Sequence, residues 1–189
     1  MSASVPAESL IPAVASGDVR AFEALYDRHS STIYALLLRI LGNADDAQEV
    51  LQEAFVKAWT NARSFDAVRG SEIAWLISIA RSRGIDRLRS RRIRSDREND
   101  AGREESVRAT FVVTTTGVDQ AIEAEERIAV RSALTALPEP QRVALELAYF
   151  EGLSQSEIAT RLSEPLGTIK TRMQLGMKKL RERLQAFHP

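Results

Sequence analysis

Leu153-Ser154-Gln155-Ser156-Glu157-Ile158-Ala159-Thr160-Arg161-Leu162, then Ser163-Glu164-Pro165-Leu166, then Gly167-Thr168-Ile169-Lys170-Thr171-Arg172-Met173 read as a short helix, a tight turn and a longer basic helix. Ser154 and Glu157 have the S-x-x-E spacing of a capping box, which fixes where the first helix begins. Ile158, Ala159 and Leu162 give that helix one apolar face. Pro165 suits the first turn of the next helix, where its missing N–H costs nothing. At about 100° per residue, Ile169, Met173, Gly176, Leu180, Leu184 and Phe187 fall on one stripe of the second helix. Thr171, Gln174 and Lys178 lie opposite, Arg172 lies between the two faces, and Gly167, Thr168 and Lys170 form the leading end. Small polar and basic groups near the N-terminus of such a second helix reach base edges and phosphates when it lies in a DNA major groove. The pattern is a helix-turn-helix, and it is specific for DNA binding without saying what kind of DNA-binding protein carries it.

Composition fits an all-helical chain. Of 189 residues, 44% are hydrophobic, enough for buried cores, while only 6% are aromatic and period-2 alternation of β-branched residues is nearly absent. There is no cysteine, which removes disulfides, thiolate metal sites and cysteine nucleophiles together. His29 and His188 are too few and too separated for a metal cluster, so no metal and no cofactor are expected. No apolar run approaches the roughly 18 residues of a membrane span, and the N-terminus lacks a basic stretch followed by an apolar one. A soluble cytoplasmic protein with no direct membrane insertion is the expectation.

Net charge is zero, yet the charges are segregated. Residues 81–97 hold eight arginines against Asp86 and Asp96, and residues 166–183 hold six basic residues against Glu182. Residues 96–126 reverse the sign, with nine acids against Arg97, Arg103 and Arg108. Two basic blocks separated by an acidic one point to two polyanion contacts joined by a segment that avoids them.

The first half reads as a helical bundle. Phe22, Leu25, Tyr26, Ile33, Leu36, Leu37 and Ile40 recur at helical spacing until Gly42 stops the helix. Asn43 is a good N-cap for the next, with Asp45 and Asp46 in its first turn, where the helix dipole favours acids. That helix buries Val50, Leu51, Ala54, Phe55 and Ala58, with Trp59 in the core, and ends near Phe65. A loop spans 64–70, and a third helix starts near Ser71 and runs into the arginine block. It places Ile73, Leu76, Ile77, Ala80, Gly84 and Leu88 on a core stripe, with Trp75, Ser82, Asp86 and Arg89 opposite. Trp75 among polar and basic groups fits a surface that stacks on an unpaired base, and it equally fits packing against the loop 64–70. Asp86 is read as an intrahelical charge partner of Arg87 and Arg89. From Ser95 to about Gly117 the pattern fails, which marks a linker, with Phe111-Val112-Val113 open to a brief strand or docking. Periodicity resumes with Ile122, Ile128, Ala129, Leu134 and Leu137, is broken by Pro138 and Pro140, and returns from Gln141 to Phe150. The expected fold is all-α, two small helical domains joined by a flexible linker: 1–94, a linker at 95–118, and a helix-turn-helix domain at 119–189.

Residues 46–59, DAQEVLQEAFVKAW, and Ala74-Trp75-Leu76-Ile77-Ser78-Ile79-Ala80-Arg81, ending Ile85-Asp86-Arg87-Leu88-Arg89, resemble the first domain of bacterial extracytoplasmic-function sigma factors. Pro165-Leu166-Gly167-Thr168-Ile169-Lys170-Thr171-Arg172 resembles their second. The resemblance covers about 15–93 and 120–186, in the family's order and spacing. It implies a promoter-specificity subunit of core RNA polymerase, with no catalytic residues. Asp46, Glu49, Leu51, Gln52 and Glu53 would dock on the polymerase clamp helices, their other reading being a solvated face. The −10 strand would be held by Trp75, Arg81, Ser82 and Arg89. Duplex −35 DNA would meet Thr168, Lys170, Thr171, Arg172, Gln174 and Lys178. An anti-sigma factor is the implied regulatory partner. Ser82 stands where many members have Asn, and Leu175 and Met177 stand where basic residues are frequent, so neither promoter element is inferred from the family.

Two other classes fit the sequence less well. A response-regulator-type DNA-binding regulator acting without polymerase would need a sensory or phosphoacceptor domain, and residues 15–93 lack its alternating strands. A nucleic-acid enzyme would need clustered carboxylates for metal-assisted chemistry, and Asp45, Asp46 and Glu49 are the sole candidates, with no nearby basic pocket.

Overall fold

The computed structural model describes residues 9–98 and 130–185, and all regular structure among them is helical. The chain divides into two compact units, Met1–Val113 and Thr114–Pro189. The expected linker beyond residue 98, the Phe111–Val113 run, the periodicity at 122–129 and Phe187 lie outside the described residues.

The first unit packs three long helices pairwise: α2 (Val19–Leu41), α3 (Ala44–Asn61) and α4 (Glu72–Glu98), preceded by the short α1 (Ile11–Ala15). Asp18 caps α2 by accepting from the Arg20 and Ala21 N–H groups at 2.8 and 3.2 Å. Gly42 ends it at φ 64°, a left-handed conformation that the missing Cβ makes inexpensive. Asn43 then starts α3 by accepting from Asp46 N–H at 2.9 Å. The core is built from Leu25, Ile33 and Leu37 of α2, Val50, Leu51, Ala54, Phe55 and Ala58 of α3, and Leu76, Ala80 and Ile85 of α4. Trp59, expected in the core, is half-buried, its ring edge against Phe22 at 5.1 Å. After α3 a 3-10 turn covers Ala62–Ser64, and α4 continues through Glu98 instead of giving way to linker at 95.

One feature of this unit has no local sequence signal. Ile11 and Val14 of α1 are buried, and the start of α1 is tied to the start of α4 by Glu72. The buried Glu72 carboxylate accepts from Leu10 N–H at 2.6 Å and Ser9 Oγ at 3.1 Å, contacts His29 Nε2 at 2.7 Å, and pairs with Arg28 at 3.3 Å. Burial alone would push this carboxyl up; the hydrogen bonds from His29, Leu10 and Ser9 prevail and hold it below the usual carboxylate range.

The second unit holds a helical stretch at 130–135, then α5 (Glu139–Phe150), α6 (Gln155–Leu162) and α7 (Leu166–Gln185). Ala144, Ile158 and Ile169, one from each named helix, are fully buried at its centre, surrounded by Leu147, Ala148, Leu153, Ala159, Leu162 and Met173. The expected capping box is present: Glu157 N–H donates to Ser154 Oγ at 3.3 Å and Ser154 N–H to Glu157 Oε2 at 2.7 Å. Ser163 turns the chain between α6 and α7 at φ 53°. At Gly176 the backbone of α7 comes so close to α5 that a Cβ would stand 2.9 Å from Leu145 Cδ1. That contact fixes the rotation of α7, and with it which side chains face outward.

Candidate nucleic-acid and polymerase interfaces

In the second unit, packing Ile169, Met173 and Gly176 inward leaves Lys170, Thr171, Gln174 and Lys178 exposed on the far side of α7, as the helical wheel requires. Thr168 is half-buried at the leading end. Two of these side chains already hold partners beyond solvent. Thr171 Oγ1 donates back to Gly167 C=O at 2.9 Å, and Lys178 lies 3.8 Å from Glu182 one turn on. Arg172, between faces in the sequence, is turned away from the outer face: its Nη2 donates to Glu164 Oε1 at 2.9 Å. This pair ties the turn to the helix. Leu175 and Met177 are exposed.

In the first unit, Trp75 and Ser82 lie two turns apart on one stripe of α4, with Arg89 a further two turns on and Arg81 at its edge. Of the two readings of Trp75, packing against the loop 64–70 is the one the structure shows. Its ring packs edge-on against Phe65 at 5.6 Å, and the side chain is half-buried. The two rings, with Arg69, Gly70, Ala74 and Ser78, line an open cleft of about 340 Å³, the lower end of the roughly 300–1,000 Å³ usual for small-ligand clefts. Phe65 and Ser78 are not among the candidates drawn from the sequence; the available signal is the lone aromatic of the 64–70 loop, ten residues before the tryptophan. The tip of that loop is shaped by Asp66, whose Oδ1 accepts from Val68 N–H at 3.0 Å.

The acids of α3 are not a bare negative face. Arg87 reaches across from α4 to Asp46 at 3.0 Å, Glu49 at 2.8 Å and Glu53 at 3.3 Å, and Arg91 reaches Asp46 at 2.7 Å. The expected intrahelical pairing of Arg87 with Asp86 is thereby corrected: adjacent residues on a helix diverge by about 100°, and Arg87 is the one that faces α3. Arg87 holds the Glu49 carboxyl below the usual range, first by its hydrogen bond and then by its charge. Leu51 is only 3% exposed and belongs to the core, which removes it from any docking surface. Gln52 is exposed, and Glu49 and Glu53 keep outward-facing carboxylates. Among the described residues no group of three or more His, Asp or Glu is placed to hold a metal ion, and no helix is long and apolar enough to cross a membrane.

Two family models match the chain at these sites: Sigma-70 region 2 over residues 25–94, and Sigma-70, region 4 over residues 127–180. The ECF RNA polymerase sigma factor SigK of Mycobacterium tuberculosis (strain ATCC 25618 / H37Rv) is 37% identical over 174 residues, covering 92% of this chain and 91% of that protein. The chain belongs to the ECF RNA polymerase sigma factors. SigK of Mycobacterium ulcerans (strain Agy99) is 36% identical over 178 residues, covering 94% of this sigma factor and 93% of its relative. Of solved structures, Rhodobacter sphaeroides SigE in complex with the anti-sigma ChrR is 27% identical, with a TM-score of 0.45 and coverage of 92% and 94%. As a member of this family, the sigma factor directs promoter-specific transcription initiation with core RNA polymerase.

Proposed function

We propose that this sigma factor grips promoter DNA with two separate surfaces, and that the outer face of α7 and the Phe65–Trp75 cleft are those surfaces. The observation that carries the reading is the cleft: a half-buried aromatic pair opening beside a helix whose next turns bear Ser82, Arg81 and Arg89. An unpaired base of the −10 strand stacks on the Trp75 ring while the basic helix holds its backbone. Lys170, Thr171, Gln174 and Lys178 read duplex −35 DNA in the major groove, with Thr168 at the leading phosphate and Arg172 holding the turn. Gln52, Glu49 and Glu53 dock on core polymerase, and Asp46 serves by anchoring Arg87 and Arg91. The first domain is proposed to run at least through Glu98, the end of α4, and the second to span 119–189. The protein works without catalytic chemistry, metal or cofactor, in the cytoplasm, and an anti-sigma factor is its regulatory partner.

Transcription in vitro with core polymerase on a genomic library tests the reading. Transcripts from a small promoter set sharing two elements are expected. Trp75→Ala should leave −35 protection intact while weakening open-complex formation by about 1–3 kcal/mol, the range for one stacked base. A variant that opens the same promoters equally well would remove the cleft from −10 recognition. Nanomolar, sequence-specific binding by the isolated protein would favour a regulator that acts without polymerase.

A further inference from the structure

Leu175 is an apolar side chain in the middle of a polar surface. The seat of Gly176 against Leu145 and Gln141 fixes the rotation of α7, and Leu175, one residue earlier, is turned about 100° from that seat. It is 44% exposed, with Thr171 one turn before it and Lys178 one turn after. The exposed apolar residues of this helix do not merge into one patch. Met177 lies two residues on, about 200° round the helix, so a protein partner packing on one would not cover the other. A leucine offers no hydrogen bond to a base edge or a phosphate. In the major groove the one apolar group displayed by base pairs is the C5-methyl of thymine.

We propose that Leu175 is a specificity-determining residue that packs on the C5-methyl group of a thymine in the −35 duplex. The assignment rests on α7 being the helix that enters the groove. It makes this position a reader of shape and methyl content where a basic side chain would have gripped guanine or phosphate. The −35 preference of this chain therefore contains a thymine opposite the Thr171–Lys178 segment of α7.

Removing the methyl alone tests it, with the protein untouched. In a promoter duplex selected with holoenzyme from a random-sequence library, each −35 thymine on either strand is replaced in turn by deoxyuridine. One replacement is expected to lower holoenzyme affinity by about four-fold, the effect of one buried methyl-sized group. Leu175→Ala should lower affinity for the unmodified duplex comparably and be indifferent to deoxyuridine at that position, so that the two changes together cost no more than one. Thermal unfolding of Leu175→Ala, a truncation at an exposed site, checks that the fold is retained. No deoxyuridine-sensitive thymine, or sensitivity that persists in Leu175→Ala, overturns the proposal. So does a Leu175→Ala loss equal on every duplex, which would place the side chain against protein. A footprint of the same complexes separates these outcomes from failure of the groove-reading role, which would show as no −35 protection at all.

Discussion

Arg87→Ala removes three cross-helix ion pairs in one step, and the structure limits how much this can cost. Arg87 and Asp46 are each 21% exposed, so their pair is partly shielded and contributes about 1 kcal/mol. The Glu53 contact is longer, at 3.3 Å, and Glu53 is 41% exposed, so it adds a fraction of that. Asp46 keeps Arg91 at 2.7 Å, and no carboxylate is left buried without a cation, which is what would make the loss severe. Including the packing of the arginine stem, we expect a destabilisation of about 1.5 kcal/mol, or roughly 6–12 °C in Tm for a domain of this size. The two tryptophans, Trp59 and Trp75, both lie in this unit, so tryptophan fluorescence follows its unfolding alone. The pH dependence has a definite sign. Glu49 titrates lower in the folded protein than its ordinary 4.5, so its pairing contributes above that value and is lost as pH falls through the lowered one. The gap between wild type and Arg87→Ala should therefore narrow on acidification and in high salt. Carboxyl NMR titration should find Glu49 back in the ordinary range in the variant. A gap indifferent to both acid and salt, or an unmoved Glu49, would refute the electrostatic account.

Three further expectations rest on other features. Lys170→Ala should weaken holoenzyme binding to −35 duplex and, if the side chain neutralises one phosphate, flatten the plot of log affinity against log salt by about 0.9. Glu72→Gln should cost about 2 kcal/mol, the scale of lost charge-assisted hydrogen bonds, and speed exchange of the Leu10 N–H, which that carboxylate accepts from. Because Glu72 is held below 4.5 when folded, wild type should lose the same protection as pH falls through its lowered value and keep it above 4.5. Gly176→Val places a Cβ 2.9 Å from Leu145 Cδ1 and 3.4 Å from Gln141 Cβ, and should destabilise the second unit by about 1–3 kcal/mol, read by hydrogen exchange in α5 and α7.

Features decided within a few residues were legible. The Ser154–Glu157 box, the Gly42–Asn43 junction and the inward stripes of α2, α3 and α7 all follow from local chemistry and helical period. What was not legible comes from partners far apart in sequence. Arg87 meets Asp46, Glu49 and Glu53 across 41, 38 and 34 residues, and a wheel drawn on one helix has no means of showing that. Leu51 falls on the apolar stripe of α3, which the structure buries; only the family resemblance implied a place for it on the polymerase face. The pairing of Arg172 with Glu164, eight residues before it, likewise has no signal in a single helical wheel. The five residues of α1 are too few for any periodicity to register. The Phe65–Trp75 cleft needs the loop to fold back onto α4, which neither segment specifies by itself.

The tie between Glu72 and the N-terminal residues has a kinetic side. The α2–α3 junction closes within a few residues, whereas Ser9 and Leu10 meet Glu72 across 63 and 62 residues, a closure that must await the packing of everything between. The Glu72 tie should therefore form late, with little influence on the folding rate and more on the rate of opening, whereas α1 packs on α2, its neighbour in sequence. Arg63, in the turn that leads to the Phe65 loop, donates to the Ala15 carbonyl at 3.4 Å, so α1 also braces the approach to the aromatic cleft. During synthesis α1 leaves the ribosome first, yet its anchor on α4 emerges more than sixty residues later. The nascent chain thus holds α1 on α2 well before Glu72 emerges to fasten it.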